Sequence, residues 1–131
     1  MKTSLITLAL VLATFSTSAF SQEHGSLHGA VYLNGSPATS ETRVAVLTPS
    51  AYLKFQSCRR TGDFRSCFSF TSSEAWETDT DYNNGSYEFN YLTPGDYYVF
   101  AIHDGANYEP RYIVRQLTIG AGDSEDLDLR L

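Results

Sequence analysis

Tyr87-Glu88-Phe89-Asn90-Tyr91-Leu92-Thr93-Pro94-Gly95-Asp96-Tyr97-Tyr98-Val99-Phe100-Ala101-Ile102 is the stretch that decides the fold. Its first five residues put aromatics on one face and polar groups on the other, the period-two pattern of a strand with one buried face. Pro94-Gly95 then supplies a turn, with Pro fixing φ and Gly providing the positive φ that a type II turn needs. From Tyr97 to Ile102 the chain is apolar or aromatic on both faces. Such a strand belongs at the centre of a sheet covered from both sides.

The pattern extends in both directions. Upstream, Leu27, Gly29, Val31 and Leu33 alternate with His28, Ala30, Tyr32 and Asn34, and Asn34-Gly35-Ser36-Pro37 closes that strand. Arg43 to Thr48 reads as a second strand ended by Pro49. Downstream, Asp104-Gly105-Ala106-Asn107 breaks the central strand, Tyr112 to Ile119 forms the next, and Gly120-Ala121-Gly122 turns into Asp126-Leu127-Asp128-Leu129-Arg130-Leu131. In that last segment the leucines alternate toward a core. No stretch offers a convincing helical period. About seven short strands spaced by turn residues predict an all-β fold, an antiparallel β-sandwich of two packed sheets.

The middle of the chain carries the two cysteines, Cys58 and Cys67. Tyr52 to Ser57 and Cys67 to Thr71 flank Gly62-Asp63, which reads as a two-residue hairpin loop. That register sets Cys58 opposite Cys67 on a non-hydrogen-bonded pair, with Cα atoms ~4.5 Å apart, within disulfide range. It also aligns Leu53, Phe55, Phe68 and Phe70 on one apolar face. The expectation is a disulfide-stapled β-hairpin inserted in the sandwich.

The N-terminus bears on the compartment. Met1-Lys2, the apolar run Leu5 to Ala13 and the small residues Ser16 to Ser21 follow the three-part order of a secretory signal. The run is shorter than the ~20 residues that span a bilayer. The expected organisation is a cleaved signal peptide over residues 1–21 and one domain over 22–131, secreted or periplasmic, where disulfides persist. No later segment reads as transmembrane. Beyond residue 21 the chain has eight Lys and Arg against fifteen Asp and Glu. This acidity argues against nucleic acid, whose phosphates need clustered positive charge.

Thr78-Asp79, Gly85-Ser86-Tyr87-Glu88-Phe89 and Leu92-Thr93-Pro94-Gly95-Asp96-Tyr97 together resemble the carboxypeptidase regulatory-like domain. Its signature is a Thr-Asp, a Gly-x-Tyr-x-Phe and a Leu-x-Pro-Gly-x-Tyr. Gly29-Ala30-Val31, Gly35-Ser36-Pro37 and the closing Leu-rich strand are similar to the start and end of that family. The resemblance covers nearly all of residues 22–131, with residues 49–75 standing out as an insertion. It implies a transthyretin-like or starch-binding-like sandwich, a scaffold used for accessory, adhesive and carbohydrate-binding modules.

Candidate chemistry is sparse. The chain lacks the Tyr-Arg-Gly-Ser tail of transthyretin-type hydroxyisourate hydrolases and the paired histidines of sandwich-fold dioxygenases. A small hydrolase on this fold therefore ranks last among the expectations. His24 and His28 would sit ~13 Å apart on an extended chain, too far to share an ion. His103-Asp104 has the makings of a base and its orienting carboxylate, with no nucleophile motif beside it. Asp79, Asp81 and Asn83 alternate like calcium ligands but fail the EF-hand template, and turn chemistry accounts for them. The expectation is no catalytic residue, no metal and no cofactor.

Two binding readings remain. Lys54, Arg59, Arg60 and Arg65 gather half of the domain's cations in twelve residues and point to a protein or cell-envelope partner, including an anionic one. Trp76, Tyr82, Tyr91 and Tyr108, with Asn83, Asn84 and Asn107 nearby in sequence, are the aromatic candidates for carbohydrate contact. The first reading is preferred here and the second is its alternative.

Overall fold

The computed structural model describes residues 23–105 and 109–131. Residues 1–22, which include the expected signal segment, and residues 106–108, which include Asn107 and Tyr108, lie outside the described residues. Nine strands and two helices follow in chain order among them. These are β1 (Gly25–Leu33), β2 (Ser36–Pro37), β3 (Thr42–Leu47), α1 (Pro49–Arg59), α2 (Phe64–Cys67), β4 (Ala75–Asp79) and β5 (Ser86–Leu92). β6 (Gly95–His103), β7 (Arg111–Ile119), β8 (Ser124–Asp126) and β9 (Leu129–Arg130) complete the chain.

The strands form two sheets, as the alternation predicts. One has the order β4-β3-β6-β7 and is antiparallel throughout; the other is built on β1, which pairs antiparallel with β2 and β5. Asn34 and Gly35, both at positive φ (53° and 85°), form the two-residue loop between β1 and β2, the left-handed pair that a tight hairpin requires. The final leucine-rich segment does not form one antiparallel strand. It divides into β8 and β9, and both run parallel to β1. Pro94-Gly95 does reverse the chain, but Gly95 enters β6 at φ 159°, close to extended. The type II expectation therefore does not hold there.

Inward residues of both sheets meet in one core. Leu27, Val31, Phe89 and Leu92 face Val44, Val46, Val99 and Ile119, all at most 7% exposed. Gly29 lets the chain ends close over this core. A Cβ there would lie 2.0 Å from the Leu127 carbonyl oxygen. Tyr87 seals the same edge, donating from its hydroxyl to that carbonyl.

The two-sided apolarity of β6 has the expected consequence in an unexpected form. Phe100 and Ile102, with Ala45 and Leu47 of β3, face away from the second sheet and are fully buried. Their cover is helical. Residues 49–67 are not a β-hairpin but the helices α1 and α2 lying over the outer face of β3 and β6. Thr48 is the N-cap of α1, its hydroxyl accepting from the Ala51 amide, and Pro49 occupies the first turn, where its missing N–H is harmless. Ala51, Phe55 and Cys58 fall at i, i+4 and i+7 and share one stripe against the sheet. Leu53, which a hairpin would have placed with Phe55, is 63% exposed. Asp63 is not a turn residue but the N-cap of α2, accepting from the Ser66 amide at 2.8 Å. Backbone donation from Ser66, with its hydroxyl and the nearby Arg59 and Arg65, holds the Asp63 carboxyl below the usual carboxylate range.

The disulfide forms as expected, between different elements. Cys58 at the end of α1 joins Cys67 at the end of α2, with Cα atoms 5.5 Å apart, which helical ends permit as readily as facing strands. Gly62 fits against it, since a Cβ there would meet Cys67 Sγ at 2.9 Å. Phe55 is the hub of the cap, edge-on to Phe64, Phe68, Phe100 and Tyr112 at 5.2–5.9 Å.

Candidate functional site

The expected aromatics divide by position. Trp76 lies on β4, half-buried, pointing into the inter-sheet core with its ring edge-on to Tyr97 at 5.8 Å. Tyr82 is 79% exposed in the turn after β4, and Tyr91 is 81% exposed near the end of β5. The turn around Tyr82 is held by its own side chains. Asp81 Oδ1 accepts from the Asn83 amide and Asn84 Oδ1 from the Ser86 amide, so these oxygens serve the backbone as Asx turns do. Asn84-Gly85 thereby links the two sheets rather than closing a hairpin. Among the described residues no group of three or more His, Cys, Asp or Glu side chains is arranged to hold a metal.

Tyr91 is held in a different way. β1 and β5 pair Gly25 with Leu92 and Leu27 with Phe89, so Ser26 alone faces both Asn90 and Tyr91. This is a β-bulge, which inserts one residue and redirects its neighbours. Tyr91 takes φ 63°, the left-handed region, which costs a residue with a Cβ ~1–2 kcal/mol. The His24 ring stands edge-on to it, centroids 6.0 Å apart. Glu23, His24, Ser26, Asn90 and Tyr91 line an open cleft of about 390 Å³. An exposed flat ring beside an amide, a hydroxyl, an imidazole and a carboxylate can stack on an apolar ring face while hydrogen-bonding its substituents. Neither the bulge nor the placement of Glu23 and His24 beside Tyr91 was legible in the sequence.

The cations of the cap are drawn largely into internal structure. Lys54 pairs with Glu74 at 2.5 Å, and Arg59 with Glu109 at 3.2 Å. Arg59 also donates to the Gly62 carbonyl at 3.1 Å. The Tyr112 hydrogen bond, with Glu109, holds the Arg59 guanidinium in its charged form. Glu109 accepts from the Phe64 amide as well and so ties α1 to the start of α2. Arg65 lies near Asp63 and helps keep it ionised. Arg60 is exposed at the C-cap of α1. Between α1 and β7 opens a second cleft of about 420 Å³, with Tyr52, Gln56, Arg59 and Arg60 on one side and Tyr112 and Val114 on the other. The helical spacing of residues 52, 56, 59 and 60 would have found this face, had α1 been recognised.

His103 and Asp104 do not form a pair. The imidazole Nδ1 lies 2.9 Å from the Thr42 hydroxyl, and the carboxylate lies 3.3 Å from Arg43 Nε. His24 and His28 are both exposed and line different clefts, His24 the one at Tyr91 and His28 the one along β5 with Asp79, Asp81 and Glu88.

No protein-family model matches the chain, and no curated protein matches it. Among solved structures, the fold is similar to a candidate carbohydrate-binding protein from Pseudomonas aeruginosa. The TM-score is 0.57 at 17% identity, covering 84% of this chain and 90% of that one. At this identity the likeness concerns the fold alone, a β-rich sandwich, and fold does not carry function with it.

Proposed function

We propose that this chain is a non-catalytic extracytoplasmic binding module of the carboxypeptidase regulatory-like type, and that it takes a carbohydrate on the Tyr91 ring. One observation carries the reading: an aromatic side chain is held 81% exposed, on a backbone conformation that tyrosine disfavours, at the mouth of a polar cleft. Strained backbone persists where the surrounding structure holds it, and such sites cluster where ligands bind. The described likeness to a candidate carbohydrate-binding protein supports the same class of ligand. Commitment of His103 to Thr42 and of Asp104 to Arg43 supports the non-catalytic part.

A cationic arm for a protein partner has weaker support, because Lys54 and Arg59 are already paired within the chain. A glycan array separates the two readings. Binding of a neutral oligosaccharide that Tyr91→Ala abolishes is the expected result. Retained binding in Tyr91→Ala, or no glycan bound at all, overturns it.

A further inference from the structure

The cleft between α1 and β7 differs in kind from the Tyr91 cleft and the cleft along β5. The Tyr91 cleft carries Glu23, and the cleft along β5 carries Asp79, Asp81 and Glu88. No carboxylate lines the α1–β7 cleft, although acids outnumber bases nearly two to one beyond residue 21. Two guanidiniums line it instead. The charged Arg59 is ion-paired and positioned by Glu109, whereas Arg60 has no ion-pair partner among the described residues.

The walls are rigid. Tyr52 stacks on Tyr98 with centroids 3.9 Å apart and ring planes 13° from parallel, and Tyr112 stacks on Phe100 at 5.8 Å. Phe55 at the base is 3% exposed. The disulfide fixes the end of α1 that presents both arginines. A preformed cleft loses little freedom on binding, and its volume falls within the range of small-ligand sites. Its chemistry is specific. The aromatic edges offer an apolar surface to a ring, Gln56 offers an amide to hydroxyls, and the Arg60 fork matches a carboxylate bidentately.

We infer that this cleft binds a uronate, a sugar ring bearing a carboxylate, so that the module takes acidic polysaccharide at a site separate from Tyr91. The inference rests on the carbohydrate reading but uses different residues, so the two can fail independently. Ligands would be trimers of galacturonate, glucuronate and mannuronate, with neutral trigalactose as the control. Binding would be followed by calorimetry and by NMR of the aromatic rings in wild type, Arg60→Gln, Arg60→Lys and Tyr91→Ala.

At least one uronate trimer is expected to bind and shift the Tyr52 and Tyr112 resonances. Arg60→Gln should weaken it by about ten- to a hundredfold, the range for losing a hydrogen bond to a charged group. Arg60→Lys should recover only part of the loss, because lysine lacks the planar fork. Tyr91→Ala should leave these shifts in place while abolishing trigalactose binding. Failure of all three uronates, equal shifts of the Tyr52 and Tyr112 resonances by uronate and neutral trimers, or indifference to Arg60→Gln overturns the inference. Uronate shifts confined to the Tyr91 cleft overturn it too, while leaving the carbohydrate reading intact. Arg60 is exposed, and an unchanged near-UV circular dichroism spectrum would show the variant folded.

Discussion

Replacing Tyr91 by asparagine should make the domain more stable and a poorer binder at once. Tyr91 sits at φ 63°, where a side chain with a Cβ costs ~1–2 kcal/mol and asparagine is the residue that tolerates the region best after glycine. Against that relief stands lost contact. The ring is 81% exposed, so the area given up is small, on the order of 20 Å² beyond what asparagine retains, or ~0.5 kcal/mol. The net gain is about 0.5–1.5 kcal/mol, a rise in Tm of roughly 2–9 °C for a domain of this length. Tyr91→Phe keeps both ring and backbone, so its Tm should stay at the wild-type value. Thermal melts of the three proteins, paired with glycan titrations, give both readouts. The expected outcome is that asparagine alone raises Tm and lowers affinity tenfold or more. A Tyr91→Asn protein that melts lower and binds as well as wild type would refute the link between strain and site.

Other consequences concern the cap and the sheet contacts. Opening the Cys58–Cys67 bridge, which spans a sequence separation of 9, should cost about 2.6 kcal/mol by loop-closure entropy; urea midpoints of Cys58→Ala/Cys67→Ala and wild type that coincide would contradict this. Phe64→Ala removes a fully buried ring and should cost ~3–5 kcal/mol in the same assay. Gly29→Ala, with the Leu127 carbonyl in the way, should destabilise by ~1–3 kcal/mol or more and loosen the chain ends first, visible as faster amide exchange at Leu127 and Leu131. The Asp63 carboxyl is lowered by donation from Ser66, and that of Glu74 by Lys54 and Thr71. Their contribution is therefore full above the ordinary carboxylate range and lost as pH falls through the lowered values. An Asp63→Asn/Glu74→Gln protein should accordingly lose less stability than wild type between about pH 5 and pH 2; an identical pH profile would count against both contacts.

The strands were legible because each needs only its own residues to declare a period of two. Tyr97 to Ile102 even announced a second covered face, without saying what covers it. The cover was missed because Leu53, Phe55 and Ser57 mimic alternation, while the true stripe of Ala51, Phe55 and Cys58 is short and interrupted by polar residues. Thr48-Pro49 and Asp63 were the available helix-start signals, and both read equally well as strand and turn punctuation. The disulfide is independent of that choice, because two cysteines nine residues apart come within bonding distance in either geometry. Tyr91 was named for its aromaticity alone. Its bulge depends on how β1 and β5 are aligned, a long-range register that no local pattern encodes.

Strand β1 takes β8 and β9 as neighbours, and its Ala30 amide donates to Asp128, 98 residues further along. The β4-β3-β6-β7 sheet can assemble from residues 42–119, but the sheet around β1 has no second edge until the last few residues arrive. High contact order of this kind slows folding, because distant segments must meet before their contacts reward the loss of chain entropy. The domain is thus closed last by β8 and β9. A chain emerging stepwise from a ribosome would hold β1 half-paired until those two strands are free to dock.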